Sequence, residues 1–300
     1  MLSGLIIRAQ SGFYTVETEK GLVVCRLRGL LKRGPRRGDV AAVGDWVDLT
    51  LLDSETGVIQ AIKPRLRMLS RLAPNPQGVY HQIIIANPDQ AVFVFSCTRP
   101  EPRFGMLDRF LVIAEKQQIP SVIVANKIDL LEREAARDLF GHYRPLGYPV
   151  FYTSARTGEG VEALRERLSS KISVFAGPSG AGKSSLLNQL MPGLELKSRE
   201  VSRSTRKGRH TTVVREMFPL SGGGYVADTP GLKALALWDI QPEELDGYFP
   251  ELRQRVSGCA FSDCTHTHEP GCDVISAVEA GEVHPERYSS YLKMRLGEEE

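Results

Sequence analysis

The sequence predicts a multidomain α/β protein built from three regions with different secondary-structure patterns. Residues 1 to about 72 show short β-rich segments, whereas residues from about 80 to 235 alternate strand-like and helix-like segments. From about residue 240 onward, helical patterns surround a cluster of cysteine and histidine. These observations predict an N-terminal β-barrel, a central mostly parallel sheet with helices on both faces, and a C-terminal helical region.

The first region contains four β-rich segments separated by glycine or charged turns, at 12–17, 21–27, 45–50 and 57–62. Short strands without a long helical pattern favour a compact barrel of the oligonucleotide-binding type. Its loop carries six basic residues and no acidic residue: Arg26, Arg28, Lys32, Arg33, Arg36 and Arg37. On a chain of net charge +2 this cluster suggests that the protein binds a polyanion. The alternatives are a solvated basic face and a barrel that only packs against its neighbour.

Composition excludes two broad classes of protein. The chain is 42% hydrophobic and 25% charged, which is ordinary for a globular protein and argues against disorder. No run approaches the roughly 18 apolar residues of a membrane span. The first eight residues are too short and too soon charged for a signal peptide, so we expect a cytoplasmic protein without a membrane partner.

The central region alternates buried-type strands with helix-like stretches, as parallel sheets require. The predicted strands cover 91–95, 121–125, 150–153, 172–175 and 224–227. The predicted helices cover 106–117, 132–140 and 161–169. Ligands of such sheets bind where strands end, so the residues that follow each strand are the candidates for a site.

A glycine-rich loop follows the strand at 172–175 and leads into a helix. It has the full phosphate-loop pattern: Gly177, Pro178, Ser179, Gly180, Ala181, Gly182, Lys183 and Ser184, with Ser185 continuing into the helix. Backbone N–H groups of such a loop point at the phosphates of a nucleotide. Lys183 would reach the β- and γ-phosphates, and the Ser184 hydroxyl would bind Mg²⁺.

The residues after the strand at 121–125 indicate guanine rather than adenine. Asn126, Lys127, Ile128 and Asp129 form an N-K-x-D pattern, in which the carboxylate accepts from guanine N1–H and its exocyclic amine. Adenine lacks this donor pair and would leave the carboxylate unpaired. After the next strand, a backbone N–H of the Ser154, Ala155 and Arg156 segment could meet guanine O6.

Two further segments are predicted to sense the γ-phosphate. Asp228 closes a strand and would hold Mg²⁺, and the N–H of Gly231 would bind the γ-phosphate. Within 208–212 a threonine can bind Mg²⁺ while that phosphate is present, and we favour Thr212 over Thr211. The expected cofactor is therefore Mg²⁺, bound together with GTP.

The attacking water lacks an obvious partner in this sequence. Leu232 follows Gly231, and a leucine cannot orient water, so hydrolysis by the chain alone should be slow. We interpret His210, beside the switch threonine, as the catalytic residue that positions the water. The alternative is a histidine that only packs or contacts RNA.

The C-terminal cluster has the composition of a structural zinc site. Cys259, Cys264, His266 and Cys272 give C-x4-C-x-H-x5-C, a closed set of three thiolates and one imidazole. One zinc ion there would stabilise a region too small to have a sufficient core of its own. His268 is the competing fourth ligand.

The order of these motifs along the chain differs from that of ordinary GTPases and resembles that of a known family. Base recognition at 126–129 and 154–156 precedes the phosphate loop, the switch and the Mg²⁺ motif, whereas ordinary GTPases begin with the phosphate loop. With a barrel before and C-x4-C-x-H-x5-C behind, the chain resembles the circularly permuted ribosome small-subunit-dependent GTPase A family (RsgA, also called YjeQ or YloQ). Members often have His-Thr-Thr-Thr in the switch, whereas Val213 follows Thr212 here.

The resemblance implies domains at 1–72 (barrel), 73–237 (permuted GTPase) and 238–300 (zinc-binding). It implies a cytoplasmic enzyme that converts GTP to GDP and phosphate late in maturation of the small (30S) subunit and is stimulated by that subunit. The barrel and the zinc region would contact its 16S rRNA, and we expect a monomer. The alternatives are a permuted GTPase of the large subunit and a nucleotide-gated RNA-binding module with negligible turnover.

Overall fold

The computed structural model describes residues 1–32, 38–73, 80–192, 215–228 and 240–298. The chain divides into two compact units. The first unit holds Met1–Val92, Val161–Ala176 and Lys183–Ala234. The second holds Phe93–Gly160, Gly177–Gly182 and Leu235–Glu300. Strand β8 (Gln90–Ser96) has residues in both units.

The N-terminal strands close into a barrel, as the sequence predicts. The strands are β1 (Leu2–Gln10), β2 (Phe13–Thr18), β3 (Gly21–Leu27), β4 (Trp46–Leu51) and β5 (Thr56–Ile62). They are hydrogen-bonded in the order β1-β2-β3-β5-β4, and β4 pairs back onto β1 to close the ring. The interior is apolar, with fully buried side chains that include Ile6, Val16, Val47, Leu49 and Ile59.

Strand β1 is missing from the sequence prediction although the closure depends on it. It pairs with β2 from Gly4 to Gln10, with β4 from Leu2 to Leu5, and with β12 (Arg215–Pro219) at Arg8 and Ala9. The buried run Gly4, Leu5 and Ile6 is too short to show a strand period. Partners from three strands therefore determine this element, which local pattern alone does not reveal.

The rest of the first unit extends this sheet and adds a hairpin. Strands β11 (Ile172–Ala176) and β13 (Tyr225–Asp228) are parallel, while β12 is antiparallel to β13. Strands β6 (Met68–Ala73) and β7 (Tyr80–Ala86) form a separate antiparallel pair. The helices are α3 (Val161–Leu168) and α4 (Lys183–Leu190).

The second unit contains the strands that carry the base-recognition residues. Strands β9 (Ser121–Asn126) and β10 (Val150–Thr153) pair in parallel, and β9 lies next to β8. All six residues of β9 are buried, as a strand covered on both faces requires. Helices α1 (Phe104–Lys116) and α2 (Arg133–Gly141) begin and end within two residues of their predicted bounds.

The C-terminal part of the second unit is helical, as the sequence predicts. A 3₁₀ segment at Pro242–Tyr248 precedes α5 (Pro250–Arg253), α6 (Asp273–Glu279) and α7 (Pro285–Leu296). Their core shares one apolar cluster with Val112 of α1, and α7 packs against α1. No helix in the described part of the chain has the length and hydrophobicity that crossing a membrane requires.

Candidate nucleotide site and metal centre

The base-recognition residues lie together at the carboxyl edge of the sheet. Asn126 ends β9 and Thr153 ends β10, and the two residues face each other in the parallel register. The loops that follow therefore start side by side, with Lys127 to Asp129 in one and Ser154 to Arg156 in the other. This is the edge at which open α/β sheets bind their ligands.

The side chain of Asn126 joins the two base-recognition loops to the phosphate loop. It is fully buried, and its Nδ2 donates to the carbonyl oxygen of Ala181 at 2.9 Å. Its Oδ1 accepts from Thr153 Oγ1 at 3.1 Å and from the backbone N–H of Ala155 at 3.2 Å. Because an amide nitrogen carries two hydrogens, Nδ2 keeps a second donor for a base. In this structure Ala155 thus positions Asn126.

Lys127 forms a second connection between the base loop and the phosphate loop. Its backbone is left-handed, with φ 67° and ψ 35°, and its Nζ donates to the carbonyl oxygen of Gly180 at 2.6 Å. The same ammonium group donates to the carbonyl oxygen of Arg99. The charged head is held at the phosphate loop, which leaves the aliphatic stem to cover a base plane.

Asp129 has the environment of a carboxylate that stays ionised. Its Oδ1 accepts from Ser154 Oγ at 2.6 Å, and its Oδ2 pairs with Arg156 at 2.8 Å. The hydrogen bond from Ser154, with the nearby charge of Arg156, lowers the pKa of Asp129 below its usual value. The side chain is 9% exposed, so water competes weakly for its oxygens. The group can therefore accept two N–H donors at neutral pH.

The phosphate loop requires glycine at two positions of close contact. Gly177 has φ 146°, and a Cβ there would lie 2.0 Å from the carbonyl oxygen of Val94. Gly182 has φ 91°, and a Cβ there would lie 2.3 Å from Nδ2 of Asn126. Side chains at these positions would collide with the strand or with the base loop. The two glycines therefore allow the loop to pack directly on strand β8 and on Asn126, one of the predicted base-recognition residues.

Helix α4 begins at the end of this loop, as the phosphate-loop pattern predicts. Lys183 is its first residue, and Ser184 and Ser185 occupy its first turn, which contains no acidic side chain. The unpaired N–H groups of a helix N-terminus carry partial positive charge and favour an anion. Pro178 and Ser179 belong to the loop that precedes it.

The proposed magnesium ligands are described only in part. Asp228 ends β13, and its backbone pairs with Phe175, which precedes the phosphate loop by one residue. The strand register thus brings the Asp228 backbone alongside the chain that leads to the phosphate loop. Thr212, Gly231 and the catalytic candidate His210 lie outside the described residues.

The structure brings the predicted zinc ligands together and selects between the two histidines. The ligand atoms of Cys259, Cys264, His266 and Cys272 all lie within 4.8 Å of one another. His268 is exposed and its Nδ1 is 2.7 Å from Thr267 Oγ1 instead.

The distances within this cluster fit a tetrahedral zinc ion. Zinc bonds of about 2.3 Å to sulfur and about 2.1 Å to nitrogen separate tetrahedral ligand atoms by roughly 3.6–3.8 Å. The Sγ atoms of Cys259 and Cys272 are 3.9 Å apart, and His266 Nδ1 is 3.3 Å from Cys272 Sγ. Three thiolates and one imidazole leave no open position, which is the composition of a structural rather than a catalytic zinc site.

A carboxylate orients the histidine of this centre. Asp246 Oδ2 is 3.2 Å from His266 Nε2, so Nδ1 points toward the cysteines. Tyr288 donates to the carbonyl oxygen of His266 at 2.7 Å, and Tyr291 donates to that of Thr265 at 2.9 Å. Asp246 lies 20 residues before His266, and no spacing pattern in the sequence marks it. Sequence reasoning therefore missed this positioning residue.

We expect Asp246→Ala to lower the zinc affinity of the protein by about 10- to 100-fold, as for other carboxylates that orient a metal-bound histidine. Competition with a chromophoric chelator measures this affinity. Glu243→Ala is the matched control, because Glu243 belongs to the same 3₁₀ segment and is exposed. Equal affinities for both variants would show that Asp246 does not orient the ligand.

The described part of the basic loop is exposed. Arg26 lies over the ring of Phe13, with its guanidinium carbon 4.3 Å from the ring centroid, and Arg28 bonds Gln60 at 3.4 Å. Lys32 ends a short 3₁₀ segment, and its side chain is not described. Arg33, Arg36 and Arg37 fall outside the described residues. An arginine beside an exposed aromatic ring is a combination suited to nucleotide bases.

Comparison with models of known protein families shows which family this chain matches. The model of the RsgA GTPase matches residues 62–238, and the model of the RsgA N-terminal domain matches residues 3–59. Together they cover the barrel, the base-recognition loops and the phosphate loop.

The chain belongs to the RsgA GTPase family.

Full-length relatives of the RsgA family support this assignment. The small ribosomal subunit biogenesis GTPase RsgA of Gemmatimonas aurantiaca is 46% identical, over 98% of this chain and 96% of that protein. The crystal structure of YjeQ from Thermotoga maritima has a TM-score of 0.79 at 38% identity, covering 99% of this chain and 98% of that one. YloQ, described as a circularly permuted GTPase, has a TM-score of 0.75 at 33% identity, covering 99% and 95%. The description of YloQ agrees with the permuted motif order of this chain.

Proposed function

We propose that this protein is a GTP hydrolase acting in late maturation of the small (30S) ribosomal subunit and stimulated by that subunit. The arrangement of Asp129 carries the nucleotide part of the proposal, because its pKa is lowered and it lies in the loop whose Asn126 and Lys127 bond the phosphate loop. The curated relatives that are named small ribosomal subunit biogenesis GTPases support the cellular role.

In this proposal guanine is read by Asn126, Lys127, Ile128 and Asp129, together with the Ser154–Ala155 backbone, whose Ala155 N–H also contacts Asn126 Oδ1. The phosphates bind along 177–185, and the N–H of Gly231 contacts the γ-phosphate. Mg²⁺ would be held by Ser184, Thr212 and Asp228. Water attacks the γ-phosphorus, the bond to the bridging oxygen breaks, and GDP and phosphate leave. His210 positions the attacking water, and the ribosomal subunit completes the site.

The outer regions of the chain supply the RNA contacts in this proposal. Arg26 and Arg28 on the barrel are exposed, and Lys32, Arg33, Arg36 and Arg37 extend the same basic loop. The zinc centre holds the C-terminal region in a fixed shape that presents a second RNA-binding surface. We propose domains at 1–72, 73–237 and 238–300 in a monomeric, cytoplasmic protein that binds 16S rRNA.

Phosphate release from GTP, titrated with purified small subunits, large subunits or neither, tests the proposal. We expect stimulation by small subunits alone, with His210→Ala losing the stimulated rate while GTP still binds. Stimulation by large subunits would assign the protein to the other subunit. GTP binding without stimulation by either would favour a nucleotide-gated RNA-binding module.

A further inference from the structure

The side chain of Arg156 lies on the carboxylate that would read the base. Its guanidinium NH2 group is 2.8 Å from Oδ2 of Asp129. Arg156 is 73% exposed, whereas Asp129 is 9% exposed. An exposed cation therefore covers one oxygen of a carboxylate that is largely shielded from water while this pair is formed.

A guanidinium group and the edge of guanine present the same donors to a carboxylate. Guanine offers N1–H and an exocyclic N–H in one plane, and arginine offers a planar fork of N–H groups. The guanidinium group and the guanine edge can each bond a carboxylate, but they cannot bond the same side of it at the same time. The hydrogen bond from Ser154 goes to the other oxygen, Oδ1, so it remains when Oδ2 changes partner.

We propose that Arg156 takes the place of the guanine edge on Asp129 while the site is empty, and that an incoming guanine nucleotide displaces it. This inference rests on the proposed guanine-binding function of Asp129. Arg156 is then a competitor of the base that lowers nucleotide affinity. It also keeps a charge partner on Asp129 after the nucleotide leaves.

The size of the effect follows from the exposure of the pair. An ion pair with one solvent-exposed partner contributes little, so its loss on nucleotide binding should change the dissociation constant roughly twofold to fivefold. Displacing an exposed side chain requires only a change of rotamer. Without the ion pair, most of the gain in affinity should therefore appear as faster association of the nucleotide.

The experiment compares the binding of fluorescently labelled GDP to the full-length wild type, Arg156→Met and Arg133→Met by stopped flow. Methionine keeps a long apolar stem and removes the competing donors. Arg133 is the matched control, because it pairs with Glu159 of the same loop at 2.5 Å and is 75% exposed. Both variants lose one positive charge near the site, and only Arg156→Met frees Asp129.

We expect Arg156→Met to bind GDP roughly twofold to fivefold more tightly than the wild type and Arg133→Met not to do so. Raising the salt concentration should narrow the gap between Arg156→Met and the wild type, because screening weakens the ion pair. Unchanged or weaker GDP binding by Arg156→Met would overturn the inference. Failure of the guanine site itself has a different signature, namely a wild type that binds ADP as well as GDP.

Discussion

Replacing Asp129 by alanine is expected to weaken GDP binding by about 10²- to 10⁴-fold and to leave ADP binding unchanged. Two hydrogen bonds from the base to an ionised carboxylate contribute about 1.5–3 kcal/mol each. Ser154 holds the carboxylate in place, and the lowered pKa of Asp129 keeps it charged at neutral pH. Removing it takes away the donor-acceptor match that separates guanine from adenine.

Isothermal titration calorimetry with GDP and ADP measures this loss of selectivity. Glu159→Gln is the control, because it removes a negative charge from the neighbouring loop, where Glu159 pairs with Arg133 and not with Asp129. A loss of ADP binding by Asp129→Ala in parallel with GDP would indicate a collapsed loop. A wild-type preference for GDP retained by this variant would show that another group reads the base.

Replacing Arg287 by methionine is expected to destabilise the second unit by about 3–5 kcal/mol, because it leaves two buried carboxylates without their cation. Arg287 is fully buried and donates to Asp108 of α1 at 2.6 Å. It also bonds both oxygens of Glu251 of α5, at 2.6 and 3.2 Å. Burial opposes its charge, but the attraction of both carboxylates raises the pKa of Arg287 above its usual value.

Urea denaturation followed by tyrosine fluorescence measures this destabilisation. Arg253→Met is the matched control: Arg253 is 55% exposed and lies 3.5 Å from Glu115, so its loss should cost about 1 kcal/mol or less. Adding Asp108→Leu and Glu251→Met to Arg287→Met should restore most of the stability, since an apolar set can replace a buried ion network. A normal unfolding midpoint for Arg287→Met alone would contradict this account.

Much of the fold could be predicted because its signals are local. Helices α1 and α2 and strands β3 and β10 lie where the period of apolar residues and the turn residues indicate. Strand β1 could not be found in this way, because its place depends on pairing with strands far along the chain. The β6–β7 hairpin was also missed.

In the candidate site, too, the features formed by neighbouring residues could be predicted from the sequence, whereas the contacts between distant residues could not. The strand–loop–helix at the phosphate loop and the Asn126–Asp129 motif are contiguous, so residue type and spacing predict them. The connections between these loops are not contiguous: Asn126 bonds Ala181, and Lys127 bonds Gly180. Arg156 appears in the sequence only as the end of a loop, with no sign that its side chain contacts Asp129.

The sequence by itself determined the chemistry of this protein: a permuted set of nucleotide-binding motifs and three thiolates with one histidine. Each of these is a short segment whose residue types dictate what it can bind. Only the tertiary structure decided between His266 and His268, placed Asp246 behind that histidine and buried Arg287 between two carboxylates. These choices join residues 20 to 179 positions apart. Packing and burial make such pairings favourable, and neither can be read from neighbours along the chain.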